Sequence, residues 1–381
     1  MELCSREDCT GCSACVNICP KQCIIFDRDK EGFYYPQIGE ECVQCGLCQK
    51  ICPQMKSNKK DFVPIKAFVG FNADENVRKQ SSSGGMFHAV AAEVLKQHGK
   101  VYGVEMRQES CRVVYRGIDT IEELKLLQGS KYVESEKEGI FQEVEAALKK
   151  EKPVLFVGTP CIVAGLKSYL RIYYNNLITC DFICHGVPSG LAWDEYLKIC
   201  KNRTNKKLNK VVFRDKENGW GQSSTRLIYD GISYVDKDNA NIFMKGFLSN
   251  LYLRRSCYRC KYKRCYESDI TLGDAWGIEK VHPDWYDDKG LSLVFANTAQ
   301  GNDILKRVSR VELKELPLDI AQTINTAYEL SAANNLFREK FFKRLSEDNF
   351  AALVNLYCGN SMKYRIYRKA VQCIKRLAKD K

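Results

Sequence analysis

The sequence predicts a small cysteine-rich α+β module, a larger α/β domain behind it and a helical C-terminus. Three observations carry this expectation: a doubled cysteine motif within residues 9–53, alternating strand and helix periodicities from residue 64, and helical patterning from about residue 320. A chain of 381 residues has room for a module plus a domain with a sizeable core, since domains usually run ~100–200 residues. Hydrophobic residues make up 45% and charged residues 28%, a mixture that suits a globular protein and excludes a disordered one. No run approaches the ~18 apolar residues needed to cross a bilayer. The first residues, Met1-Glu-Leu-Cys-Ser-Arg-Glu-Asp8, are acidic and polar where a secretory signal is basic and then apolar. A cytoplasmic protein with no transmembrane segment is therefore expected.

The module, residues 1–57, is read from its cysteines. Cys9-x2-Cys12-x2-Cys15-x3-Cys19-Pro20 returns as Cys42-x2-Cys45-x2-Cys48-x3-Cys52-Pro53. Three thiolates at two-residue intervals wrap three corners of one cubane, and the fourth, before a chain-turning proline, reaches the other cluster. Cys9, Cys12, Cys15 and Cys52 are thus expected to hold one [4Fe-4S] cluster, and Cys42, Cys45, Cys48 and Cys19 a second. Gly11 and Gly46 let the backbone turn between ligands. Structural zinc also uses Cys-x2-Cys pairs, but it needs only four thiolates per ion and no third spacing. Disulfides would require an oxidising compartment, and twenty cysteines in a reducing one point to metal ligation. The module resembles bacterial two-cluster ferredoxins throughout.

The polar stretch Lys56-Ser-Asn-Lys-Lys-Asp61 reads as a linker to the second domain, residues 64–320. Strands are expected at Ile65–Phe71, Val101–Met106, Val154–Val157 and Leu177–Ile183. Helices are expected at Gly85–His98, Phe141–Lys150 and Ala164–Leu170. Met86, Phe87, Val90, Ala91, Val94 and Leu95 mark the apolar face of the first helix. Ser81-Ser-Ser-Gly-Gly85, just before it, presents hydroxyls and free amides that suit phosphate, and equally suit an ordinary serine cap. Residues 321–381 form the helical region, with a basic end at Tyr364–Lys381 that either lies on a membrane surface or partner or is a solvated terminal helix.

Four further segments complete the pattern: Gly129-Ser-Lys-Tyr-Val-Glu-Ser135, Gly158-Thr-Pro-Cys-Ile162, Cys184-His-Gly-Val-Pro-Ser189, and Ser256-Cys-Tyr-Arg-Cys260 with Asp269-Ile-Thr-Leu-Gly-Asp-Ala-Trp-Gly277. In this order, behind the cysteine module, they resemble the coenzyme F420 hydrogenase/dehydrogenase beta-subunit family over residues 1 to about 300. The resemblance implies an α+β ferredoxin-like two-cluster module followed by an α/β flavin-binding domain and a helical C-terminus. It also implies FAD and a third [4Fe-4S] cluster, leaves use of F420 itself open, and extends to bacterial members associated with polysaccharide biosynthesis. On it, Ser82, Ser83, Gly84 and Gly85 belong to the flavin site. Lys131 contacts flavin or phosphate, or is a surface charge. Cys161, Cys184, Cys257 and Cys260 are the third-cluster ligands. Cys257 and Cys260 would also suit zinc, and Cys265 stands near enough in sequence to replace one of the four. The remaining thiols, Cys4, Cys23, Cys111, Cys180, Cys200, Cys265, Cys358 and Cys373, default to buried or idle. Glu134, Ile162, Arg255 and Ala275 depart from the family pattern, which bears on the shape of the substrate pocket.

A flavin accepts a hydride as two electrons and releases them singly, as clusters require. The expected function is therefore a flavin-dependent iron–sulfur oxidoreductase linking the ferredoxin-type clusters to a substrate site, in either direction. His185 either supplies a proton there or is structural. Expected partners are an electron donor or acceptor protein and a small-molecule or sugar substrate. A docking electron-transfer subunit without turnover of its own is the alternative. The net charge of +12 is spread among interleaved Asp and Glu residues, so no nucleic-acid partner is expected.

Overall fold

The computed structural model describes residues 3–56, 61–108 and 110–358. The basic segment Tyr364–Lys381 and Cys373 lie outside the described residues.

In the module, β1 (Ile24–Arg28) and β2 (Tyr34–Ile38) pair antiparallel. Their turn is set by Asp29, whose Oδ1 accepts from the amides of Glu31 and Phe33 at 3.0 Å. Two short helices, Ala14–Ile18 and Leu47–Lys50, follow Ser13 and Gly46, both left-handed at φ 67° and 74°. The doubled motif thus becomes a doubled turn-and-helix.

The larger part is built on a nine-stranded sheet. In chain order its strands are β3 (Lys66–Asn72), β4 (Lys100–Met106), β5 (Val113–Ile118), β6 (Ser135–Glu136), β7 (Val154–Val157) and β8 (Leu177–Phe182). A separate three-stranded antiparallel sheet follows, made of β9 (Leu208–Asp215), β10 (Ser224–Tyr229) and β11 (Ile232–Lys237). The chain then returns with β12 (Ile270–Asp274), β13 (Ser292–Ala296) and β14 (Val311–Leu316). The spatial order is β14-β3-β13-β12-β8-β7-β4-β5-β6. Strands β12, β8, β7 and β4 are parallel neighbours, whereas β13 pairs antiparallel with β12 and β3, and β5 with β4. Alternating helices predict the parallel centre, and the antiparallel flanks make the sheet mixed.

All seven expected elements form, with shifts at their ends. The helix expected from Ala164 spans Pro160–Leu170, because Pro160 occupies its first turn, where a missing amide proton costs nothing. The helix Met86–Lys96 buries Met86, Val90, Ala91, Val94 and Leu95 against the sheet.

A second core lies under the small sheet, where Trp193, Phe213, Phe243 and Tyr252 pack with Phe341, Phe350, Leu353 and Val354. The last four residues belong to the helices Arg338–Arg344 and Phe350–Cys358. The described part of the helical C-terminus therefore completes this core, and does not stand apart from residues 64–320.

The module is also anchored. Arg254 is 0% exposed and pairs with Glu134. Its guanidinium also donates to the carbonyls of Tyr34 (3.1 Å) and Cys9 (3.4 Å), between the rings of Phe33 and Tyr35. Glu31, at the hairpin turn, accepts from Arg338 and Arg255. Gly32, at φ 82°, brings the turn so close that an added Cβ would lie 2.1 Å from the amide nitrogen of Leu191.

Candidate functional site

The carboxyl ends of β7, β8 and β12 lie side by side, the edge at which open α/β sheets present their ligands. The first turn of the helix Pro160–Leu170, which follows β7, carries Cys161, and the loop after β8 carries Cys184 and His185. A short 3-10 helix, Arg255–Arg259, brings Cys257, with Cys260 just beyond it. Cys184 feels the charge of the other three thiols, and Cys161 and Cys257 that of Cys260, so segments far apart in sequence converge on one place. The amide of Val187 donates to Cys257 Sγ (3.4 Å), and the Thr159 hydroxyl meets Cys161 Sγ at 3.1 Å. Burial pushes the thiols of Cys161 and Cys184 up, and that of Cys257 to about 12. Deprotonation there calls for cationic company. Lys137 and Arg254 both act on Cys161, and Lys263 donates to the Cys184 carbonyl at 2.7 Å. Cys265 is buried nearby in sequence, but it is absent from this set of four.

Within the module, Cys9, Cys12, Cys15 and Cys52 form a second such set, mostly buried. Cys42, Cys45, Cys48 and Cys19 line one small cavity nearer the surface, where Cys45 is exposed. Two thiols expected to be idle sit against these sets. Cys4 hydrogen-bonds Cys9 and Cys52, and Cys23 lies 3.4 Å from Cys19 Sγ. By contrast Cys111, Cys180, Cys200 and Cys358 are buried elsewhere, as expected. Among the described residues, no three metal-ligating side chains draw together closely enough for a single ion. Cubane thiolates each bind a different iron, whereas zinc holds all its sulfurs ~2.3 Å from one point. The donor sets fit clusters.

The sets adjoin one another. Gly165, one turn beyond Cys161, packs on Cys12 so tightly that an added Cβ would lie 3.1 Å from Cys12 Sγ, and Cys12 feels the charge of Cys161.

The Ser81–Gly85 loop lies at the same sheet edge. Ser82 Oγ accepts from the Ser130 amide (2.7 Å), which joins two of the sequence motifs. Ser83 Oγ donates to the Leu291 carbonyl (2.8 Å), and the Gly84 amide donates to Ser292 Oγ (2.9 Å). Gly85, left-handed at φ 88°, starts the helix Met86–Lys96. Lys131 stands in the neighbouring segment, but its ammonium donates to the carbonyls of Leu126, Leu127 and Gln128 at 2.8–3.2 Å. Burial pushes its pKa down to about 7, while the helix-end carbonyls favour its charged form. All three of its donors are thereby engaged within the chain.

Sequence reasoning missed several residues here. Lys216 Nζ donates to the carbonyls of Arg78, Ser83 and Lys289 and so pins the serine loop. Arg214, left-handed at φ 64°, lies over Trp276 at 4.8 Å and 3.5 Å from Asp274. Trp220 stacks on Trp276 at 4.2 Å. The run Phe213-Arg-Asp-Lys216 held a sequence signal, since two cations end a strand, but only the fold brings that end to the serine loop. His185 packs edge-on against Phe247 at 4.9 Å. Of the departures from the family pattern, Glu134 and Arg255 serve the module's anchorage.

Residues 151–318 match the family described as the C terminus of the coenzyme F420 hydrogenase/dehydrogenase beta subunit, and residues 8–55 match the 4Fe-4S dicluster domain. A chain of the F420-reducing [NiFe] hydrogenase complex from Methanosarcina barkeri is similar at a TM-score of 0.49 and 14% identity, over 77% of this chain and 97% of that one. No curated protein matches. No helix among the described residues is long and apolar enough to cross a membrane. The chain thus carries, behind a segment matching the 4Fe-4S dicluster domain, a domain of the coenzyme F420 hydrogenase/dehydrogenase beta-subunit family over residues 151–318.

Proposed function

We propose that this protein is a flavin-dependent iron–sulfur oxidoreductase that passes electrons between an external protein and a substrate at the sheet edge. The observation that carries the reading is the convergence of Cys161, Cys184, Cys257 and Cys260 from three separate segments, with Cys161 beside Cys12. In this reading Cys9, Cys12, Cys15 and Cys52 hold one [4Fe-4S] cluster, Cys42, Cys45, Cys48 and Cys19 the next, and the converged four a third. Ser82, Ser83, Gly84 and Gly85 would border FAD. Bound there, FAD would exchange electron pairs with a substrate, and the clusters would carry single electrons.

The chain's own residues prepare that chemistry. Arg254, Lys137 and Lys263 surround the converged thiols with positive charge, which favours thiolates in a buried place. Lys216 fixes the serine loop through three carbonyls. Lys131 serves this edge by capping a helix, so its part in the flavin reading is positional. In this reading the substrate is a sugar derivative of polysaccharide biosynthesis, which the resemblance to bacterial members of the same layout supports.

Anaerobic purification with iron, acid-labile sulfide and flavin quantification tests the reading. About twelve irons and one FAD per chain are expected. About eight irons with no flavin would leave the large domain a docking part and overturn the proposal.

A further inference from the structure

A groove lies where the module meets the main sheet, and none of the serine-loop residues lines it. It encloses about 650 Å³ between the helix Leu47–Lys50 and the end of the helix Pro160–Leu170. Lys50, Lys56, Lys167 and Arg171 line it, against a single carboxylate, Asp269. That carboxylate is turned inward. Its oxygens accept from Thr298 Oγ1 (2.7 Å) and from Thr179 through both amide (2.8 Å) and hydroxyl (2.6 Å). The rim therefore presents four cations with little opposing charge. Beside them, Ile172 and Tyr173 are 64% and 77% exposed, a bare apolar ledge next to the basic groove. Leu47 is a wall of both this groove and the cavity lined by Cys19, Cys42, Cys45 and Cys48. Ile51, also in the groove wall, immediately precedes Cys52 of the buried set.

We infer that this groove is the docking surface for a small acidic one-electron carrier protein, a deepening that rests on the cluster reading above. Charge complementarity chooses the occupant. A basic rim steers an acidic partner and repels a basic one, and transient electron-transfer interfaces are small, polar-rimmed and centred on a few apolar contacts. Position supplies the reason for docking here. A carrier seated on Leu47 and Lys50 stands against the short helix that carries Cys48 and leads into Cys52, so that one electron from the carrier would pass to iron held by those thiolates without any bond forming. Reversed flow uses the same contact.

The test is binding of an oxidised plant-type [2Fe-2S] ferredoxin, used as the acidic probe, to the full chain purified anaerobically, followed by titration calorimetry at rising ionic strength. The expected result is an affinity that falls with salt and weakens about tenfold or more in the double variant Lys50→Glu/Arg171→Glu at low salt. Tyr173→Ser, which keeps the charge, is expected to weaken it less. The control Lys207→Glu/Lys237→Glu, on exposed positions just before β9 and at the end of β11, is expected to leave affinity within about twofold. Equal affinity in the groove variant and the original chain would overturn the proposal, as would an equal loss in the control or an affinity that rises with salt. Iron content of the same samples separates this outcome from failure of the cluster reading. A chain with its full iron that ignores groove reversal refutes only the docking surface, and a chain without clusters refutes the wire it would serve.

Discussion

Arg254 shows how one side chain can join two domains and two cysteine sets. It sits beside the Cys257 and Cys260 pair, and its guanidinium holds Glu134 and the carbonyls of Tyr34 and Cys9. Burial opposes its charge, but the Glu134 carboxylate holds the guanidinium's pKa above its ordinary value. Removing one member of such a pair leaves a lone buried charge, which costs about 3–5 kcal/mol. Arg254→Met is therefore expected to lower the thermal midpoint strongly. Adding Glu134→Met should restore part of the loss, because the stranded carboxylate goes too. A double variant no more stable than the single one would show that the carbonyl contacts, and not the ion pair, dominate. The sequence displayed Arg254 only as a basic residue next to a cysteine motif, since its partners lie 120 and 220 residues away along the chain.

Strand β8 carries a different kind of charge. Asp181 lies fully buried between β8 and β12, where one oxygen accepts from Thr271 Oγ1 at 2.6 Å. Burial, the main cause, pushes its carboxyl up to about 7. The folded chain thus binds this proton more tightly than the unfolded one does. The contribution of Asp181 is most favourable below the unfolded carboxyl range near pH 4, and it is lost as pH rises toward 7, by up to about 4 kcal/mol. Asp181→Asn is expected to raise stability at neutral pH and to flatten that decline, as followed by thermal midpoints between pH 5 and 8. An unchanged slope would show that Asp181 stays ionised in the folded strand. The expected strand Leu177–Ile183 was legible from its run of apolar residues, while the partner that buries its aspartate, β12, enters the sheet ninety residues later.

At the scale of the whole molecule, the three cysteine sets lie between an exposed thiol of the module, Cys45, and the carboxyl edge of the main sheet. Cys45 is exposed, Cys9, Cys12 and Cys52 are buried, and Cys161 lies beyond them toward the sheet edge. On the proposed function, this order suits a path of single electrons between the inferred docking face and the sheet edge. Cys161→Ala is expected to lower iron from about twelve to about eight atoms per chain while the dicluster signals persist in the visible spectrum. Full iron in that variant would assign the third site to other thiols.

The doubled cysteine motif by itself determined the module, because cluster ligation depends on spacings of two and three residues that local chain geometry enforces. Periodicity likewise placed the strands β3, β4, β7 and β8 and the helix behind the serine loop, since burial of one face repeats with the element's own period. Only the tertiary structure decided that the sheet is mixed, that the described helices after residue 320 complete the second core, and that Lys131 caps a helix end. It also decided that Arg254, Arg214 and Lys216 lie at the candidate site, and that four basic residues share one groove. Those outcomes depend on contacts between segments distant in sequence. Such contacts are fixed by which surfaces pack together, and local spacing carries no record of them.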